Sequence, residues 1–379
     1  MSGAADAADI GTDEIEAYAD GLERFIAAKA RLAGEHPLRY LFWESTLRCN
    51  LACRHCGSDC LRDESTRDRE LPPEAIKREL AAIAAAYDPR TITLAIIGGE
   101  PLMRPDIEEV GGFAAELGFA WGITTNAMLL DATRLASLKA AGLSTLSVSL
   151  DGVEAAHDAL RRSKGAFRRV CRVLERLVAQ PFTAAFDVIC CVSTLNIDTL
   201  EPFVDHLAAL GVARVRFTPV FSRGRAGRES GLMLSGGQYR QLLAFVADAR
   251  SCRQDIAVTL SEEGYWGPDW ECRVREALHY CGSGTVIGTI LHDGRVTGCP
   301  GVSRRFDEGS ILDTPFMDLW RNGFARFRQG RHAAAPKSCG DCDHWDLCEG
   351  GGFHLFDPED PAAVNCGLRR IGELGEGHV

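Results

Sequence analysis

The chain has 379 residues, 46% hydrophobic and 25% charged, an ordinary globular composition with length for two or three domains. Its formal net charge of −11 leaves no basic stripe to neutralise phosphates, which argues against a nucleic-acid partner. No run approaches the ~20 apolar residues of a membrane span, and no basic-then-apolar leader opens the chain, so no membrane association and a cytoplasmic location are expected.

Residues 1–11 are small and acidic and read as disordered. From Asp13, apolar residues recur at helical spacing (Ile15, Tyr18, Leu22, Phe25, Ile26, Leu32), predicting a helix within an N-terminal segment, 1–38. From residue 39 to about 250, strand-like and helix-like runs alternate. Strands are predicted at Leu41–Thr46, Thr91–Ile97, Ala120–Thr125, Thr145–Leu150, Asp187–Val192 and Ala213–Thr218. Helices are predicted at Pro73–Ala86, Asp106–Leu117, Asp131–Ala141, Gly165–Gln180 and Thr199–Leu210. That alternation implies parallel strands with crossover helices, in an open or a barrel-like sheet. Ligands of either architecture sit at the carboxyl ends of the strands. Residues 251–379 differ: cysteines become frequent, and Thr285–Leu291, His292-Asp293-Gly294 and Arg295–Thr297 read as a hairpin. This is expected to be a small domain organised by metal.

Fifteen cysteines without an export signal point to metal or redox chemistry rather than disulfides. Three of them form Cys49-x3-Cys53-x2-Cys56, just after the first predicted strand. Three thiolates on one loop can hold three irons of a cubane cluster and leave the fourth open, a spacing unlike the paired CxxC of a zinc site. The other strand ends are equally marked. Gly98-Gly99-Glu100-Pro101 follows the second strand, Thr125-Asn126 closes the third, and Ser149 and Asp151 flank the end of the fourth. Cys171, Cys190 and Cys191 fall in apolar patterns and read as small buried hydrophobes.

Together the cysteine triad, the Gly98–Pro101 run and Ser149-Leu150-Asp151-Gly152 resemble the radical S-adenosylmethionine (SAM) superfamily, over roughly Leu41 to Thr218. The resemblance implies a partial (β/α)6 TIM-type barrel over 39–250. It also implies a 4Fe–4S cluster on Cys49, Cys53 and Cys56, whose open iron chelates SAM for cleavage to a 5′-deoxyadenosyl radical. Gly98, Gly99, Glu100 and Pro101 would meet the SAM amino group, and Ser149, Asp151 and Arg161 the carboxylate region. For Arg161 a solvated helix residue is the other reading. Thr125 and Asn126 would reach ribose or methionine, with Ala127 where the family has glycine. His55 occupies the family's aromatic position and would pack on adenine. Arg216, Arg223 and Arg225 could face an anionic substrate group, a solvated loop explaining the last two equally well.

The tail resembles the SPASM extension of the same superfamily, which carries auxiliary 4Fe–4S clusters. Cys339-x2-Cys342-x5-Cys348 and Cys366 match the outer four-cysteine cluster. Four thiolates also suit zinc, but the family context favours iron–sulfur. Cys281 and Cys299 match the inner cluster, but Gly352 stands where its next cysteine belongs. The inner pair therefore holds an altered cluster, with Cys272 as a candidate third ligand, or merely packs. Pro300 follows Cys299 where sulfatase-maturing relatives carry an aspartate base, which argues against formylglycine formation.

The function implied is radical oxidative modification of a ribosomally made peptide or a protein, also suggested by Cys56-Gly57-Ser58-Asp59-Cys60, which resembles a peptide-directed subgroup. A reducing partner such as flavodoxin or ferredoxin is implied. The region before Arg39 is too short for a winged-helix leader-binding domain, so a separate leader-binding protein is one expectation. The alternatives are a tetrapyrrole-modifying enzyme of the haem d1 or alternative haem pathways and, from another class, a non-catalytic iron–sulfur carrier or redox sensor. The catalytic acid, base or hydrogen donor is not identified.

Overall fold

Strand and helix alternate as the periodicity requires. A computed structural model describes residues 12–60, 62, 65, 67–180, 185–229, 231–261, 264–329, 339, 342–355 and 365–372. The expectation for residues 1–11 lies outside them. In chain order, the first half runs α1 (Thr12–Glu35), β1 (Tyr40–Glu44), α2 (Pro73–Ala86), β2 (Thr93–Ile97), α3 (Ile107–Leu117), β3 (Ala120–Thr125), α4 (Ala132–Ala140) and β4 (Thr145–Ser149). It continues with α5 (Glu154–Arg161), α6 (Ala166–Ala179), β5 (Ala185–Val192), α7 (Leu200–Ala209), β6 (Arg214–Pro219), α8 (Gly224–Arg228), α9 (Gly236–Cys252) and β7 (Ala257–Leu260). The remainder is α10 (Pro268–Val274), β8 (Ile287–Ile290), β9 (Arg295–Thr297), β10 (Gly309–Ser310), α11 (Phe316–Asn322), α12 (Ala325–Arg328), α13 (Trp345–Cys348) and α14 (Gly367–Ile371).

Local chemistry sets many of these ends. Pro73 opens α2, where a missing N–H costs nothing. Asp131 caps α4 through its side chain, and Gly118 closes α3 in the left-handed region at φ 101°. Ser235 and Gln238 form a reciprocal capping box at the start of α9.

The strands form one sheet in the order β10-β9-β8-β1-β2-β3-β4-β5-β6-β7, with every pairing from β8 through β1 to β7 parallel. Alternate residues divide its two faces. Leu41, Trp43, Leu94, Ile96, Trp121, Ile123, Leu146, Val148, Val215 and Phe217 are buried. The alternating set, including Thr93, Thr124, Ser147, Ser149, Asp187, Cys191 and Arg216, is only partly buried and mostly polar. One face is therefore a sealed core and the other lines an open lumen.

The expected hairpin is present, with β8 and β9 antiparallel and Gly294 at φ 89° in its turn. Its partner was not legible: β8 pairs with β1, in the register Tyr40 opposite Ile287. The C-terminal region also buries Phe306, Phe316, Trp320, Phe324, Phe327 and Phe353, which are continuous with the main core. The N-terminal helix closes onto it. Buried Lys29 pairs with Glu349 at 3.1 Å and so ties α1 to the end of α13.

Candidate metal and cofactor site

The loop leaving β1 carries three thiols and is fixed along its length. Arg48 grips Glu70 through two bonds, Nε to Oε1 at 2.7 Å and Nη2 to Oε2 at 3.0 Å. Arg225 donates to the carbonyls of Cys53 at 2.7 Å and Cys60 at 2.6 Å. The loop also lies against the end of β2, where Gly99 N–H donates to Thr46 O at 2.7 Å and Glu100 N–H to Arg48 O at 2.9 Å. A Cβ on Gly98 would meet Thr46 O at 2.4 Å, and one on Gly99 would meet Arg48 O at 2.1 Å. The glycine pair is thus demanded by backbone packing against the cysteine loop.

Cys49, Cys53 and Cys56 line a cavity of about 280 Å³ together with Gly98, Gly99 and Ser149. Thr125, Asn126, His55 and Arg161 also line it. The donors present suit sulfur ligands of an iron cluster: Leu51 N–H points at Cys49 Sγ at 3.4 Å, Asn126 Nδ2 at the same sulfur at 3.7 Å, and Arg161 Nη1 at Cys53 Sγ at 3.7 Å. Burial pushes the Cys49 thiol up to about 12, so a thiolate there requires a positive partner in the cavity. The residues fit the group.

Two buried carboxylates brace the wall. Glu100 accepts from Thr125 Oγ1 at 2.7 Å, Asn126 N–H at 2.8 Å and Leu102 N–H at 3.2 Å, so its oxygens are already engaged by the protein. Burial raises its pKa, against those three donors. Pro101 begins the short turn that follows. Asp151 accepts from Arg161 Nε at 2.6 Å and Cys191 N–H at 3.0 Å, with His55 Nε2 at 3.4 Å. Burial opposes ionisation of Asp151, yet Arg161 and the two adjacent histidines hold its carboxyl below the usual range. Burial lowers His55 to about 4, Asp151 opposing and Arg161 reinforcing, so the ring is neutral near pH 7. Arg161 is buried and paired, which rules out the solvated-helix reading.

Several functional neighbours were missed. Cys60 is buried beside Cys56 in the same apolar cluster. Cys191 is not simple core filling: it lies on the lumen face, and its thiol, His55 and Asp151 converge within 4.8 Å. Arg161 already supplies the cation there, which makes a metal at that point unfavourable. Arg225 is a brace for the cysteine loop and not a solvated residue. Arg216 is turned to Asp187 and to Ser147 Oγ, the latter at 3.1 Å. Ala127 adopts φ 60°, a left-handed backbone that suits the glycine expected there from the family pattern.

Further along the same loop a second cavity, about 390 Å³, runs between Gly57, Asp59, Glu44, His292, Arg223 and Arg304. Arg223 presents Nε and Nη2 buried without a hydrogen-bond partner in the structure. In the C-terminal region Cys339, Cys342, Cys348 and Cys366 line one small cavity with Tyr265 and His344. Burial pushes the Cys348 thiol up to about 12, the neighbouring cysteines adding to it. Four converging thiols fit a four-cysteine cluster.

With this geometry in place, comparison with known proteins is direct. Residues 43–207 match the Radical SAM superfamily model, and residues 281–343 match SPASM, an iron–sulfur cluster-binding domain. Mycofactocin maturase MftC of Mycolicibacterium smegmatis is 32% identical over 320 residues, covering 82% of this chain and 77% of that protein. The AdoMet-dependent heme synthase of Nitratidesulfovibrio vulgaris is 26% identical over 333 residues, covering 84% and 88%. Among solved structures, Streptococcus suis SuiB bound to the precursor peptide SuiA superposes with a TM-score of 0.68 at 16% identity, covering 91% of this chain and 79% of that one, a likeness of fold. The chain belongs to the radical SAM superfamily and carries a SPASM region. It is a SAM-dependent, 4Fe–4S enzyme with the partial-barrel fold, which sets aside the electron-carrier reading. No helix among the described residues is long and apolar enough to cross a membrane.

Proposed function

We propose that this enzyme oxidatively modifies a ribosomally made peptide, acting at a barrel-top site built on Cys49, Cys53 and Cys56. When bound, the cluster and SAM supply a 5′-deoxyadenosyl radical able to remove hydrogen from an unactivated carbon. The protein's own residues orient and seal. Gly98, Gly99 and Pro101 shape the rim that receives the methionyl amine, while Glu100 holds Thr125 and Asn126 in place rather than touching ligand. Ser149 and the Arg161–Asp151 pair meet the carboxylate end, and neutral His55 packs at the adenine side. Residues 39–250 serve as the catalytic core, 1–38 as a clasp and 251–379 as the iron–sulfur region, with Cys339, Cys342, Cys348 and Cys366 as outer-cluster ligands.

The observation that carries this reading is the second cavity beside the radical site, with unpartnered Arg223 at its wall. It offers a peptide room and a cationic anchor, and the maturases among the relatives support the substrate class. A flavodoxin or ferredoxin supplies electrons, and a separate protein presents any leader. Fifteen cysteines, nine of them at cluster positions of the family pattern, suit the reducing cytoplasm.

The test is anaerobic reconstitution with SAM and dithionite, plus each short peptide that the gene neighbourhood is found to encode. 5′-Deoxyadenosine and a mass change in the peptide are expected. An intact cluster with neither product overturns the proposal. A tetrapyrrole is the second reading, supported by the heme synthase relative and the Gly350-Gly351-Gly352 run. Conversion of an iron porphyrin with no change in the peptide would establish it instead.

A further inference from the structure

The inner auxiliary site lacks a cysteine at 352, and the structure puts a histidine ring in its place. A Cβ on Gly352 would lie 2.4 Å from Cε1 and 2.6 Å from Nδ1 of His354. The imidazole therefore fills the space into which a side chain at 352 would project. A Cβ on Gly301 would lie 3.6 Å from the Cβ of His354 and 3.8 Å from Cys299 Sγ. The histidine and Cys299 thus flank the same glycine. The ring is held in position: Phe221 packs on it with centroids 5.0 Å apart, and its chain neighbours Phe353 and Leu355 are buried. Gly352 and His354 are consequently linked. A cysteine at 352 and the imidazole as placed exclude each other, and each brings one soft or borderline donor to the same spot.

We propose that His354 takes the missing cysteine's role and forms, with neighbouring Cys299 and with Cys281, which the SPASM resemblance assigns to the same cluster, a three-residue ligand set for an inner iron–sulfur cluster. Imidazole is a known replacement for thiolate on cluster iron and raises the potential of the centre it serves. A neutral ligand in place of an anionic one makes the cluster less negative and easier to reduce. That direction suits a centre meant to take an electron from an oxidised substrate. The inference rests on the proposed role of the C-terminal region as an iron–sulfur region.

The full chain, reconstituted anaerobically without SAM, tests it by iron analysis and pulsed EPR on protein carrying ¹⁵N-labelled histidine. About twelve irons per chain are expected, at about four per cluster, with nitrogen hyperfine coupling from a histidine on a reduced cluster. His354→Ala should lose that coupling and fall to about eight irons. Gly352→Cys combined with His354→Ala, which removes the clash, should recover about twelve irons without the coupling. Absence of histidine coupling in the parent protein, or an unchanged iron count and spectrum in His354→Ala, overturns the inference. SAM cleavage measured on the same samples separates the outcomes. If it persists while the coupling is missing, only the His354 assignment fails; if it is absent throughout, the proposed function fails with it.

Discussion

Arg161 joins the loop after β4 to the cysteine loop, donating to Asp151 at 2.6 Å while a second nitrogen of its guanidinium reaches Cys53 Sγ at 3.7 Å. Arg161→Ala would strand a buried carboxylate beside the cluster loop. A loss of about 3–5 kcal/mol is expected, the usual cost of breaking a buried ion pair from one side. Urea unfolding measures it, and Arg161→Ala with Asp151→Asn together should recover part of the loss. A single variant as stable as the parent would contradict the pairing.

His157 gives a pH dependence. Its Nδ1 accepts the backbone N–H of Asp151 at 3.0 Å. Burial depresses it to about 4, Asp151 opposing and Arg161 reinforcing. With an ordinary value near ~6.5 in the unfolded chain, the unfolded state binds the extra proton between about pH 6.5 and 4. Stability therefore falls as pH drops through that window, by about 2 kcal/mol between pH 7 and 5 from this residue. His157→Gln should flatten that slope in urea titrations at the two pH values. An unchanged slope would show that the ring is not buried neutral.

The Gly99 contact makes a cluster-specific prediction. A methyl group at 99 would lie 2.1 Å from Arg48 O and must displace the cysteine loop. Gly99→Ala is expected to lose about four irons, those of the first cluster, and to abolish 5′-deoxyadenosine formation. The outer cluster, on a separate part of the chain, should keep its EPR signal. Full iron content would refute the account of the glycine pair.

Arg223 should act on peptide binding and not on radical formation. A charge-assisted bond of about 1.5–3 kcal/mol corresponds to roughly a ten- to hundredfold rise in KM for Arg223→Ala. SAM cleavage without peptide should stay near the parent rate. An equal fall in both would place the arginine in the SAM machinery instead.

Much of this was readable from one-dimensional pattern. Ala120–Thr125 and Pro73–Ala86 coincide with β3 and α2, because apolar periodicity and a proline start are local signals. The strand-end motifs converge for the same reason: parallel strands place their carboxyl ends together. Helix α9 escaped notice because it begins with Gly236-Gly237, which reads as a turn, although Ser235 and Gln238 carried a capping box. Helix α5 spans only eight residues after an Asp-Gly pair. The Arg225 brace on Cys53 and Cys60 and the Glu100 bond to Thr125 join distant segments and leave no local trace. The partnership of Gly352 and His354 shows only when the backbone is folded.

The pairing of β8 with β1 has a consequence for electron flow. The strand that delivers Cys49 and the strand between Cys281 and Cys299 are hydrogen-bonded neighbours in one sheet. With the proposed inner cluster in place, its separation from the barrel-top centre is set largely by strand register and not by a docking equilibrium between separate bodies. The same bonds leave β1 as a bare edge if the chain is cut after α9, so a shortened protein would forfeit both the proposed electron route and its protection against edge-to-edge association.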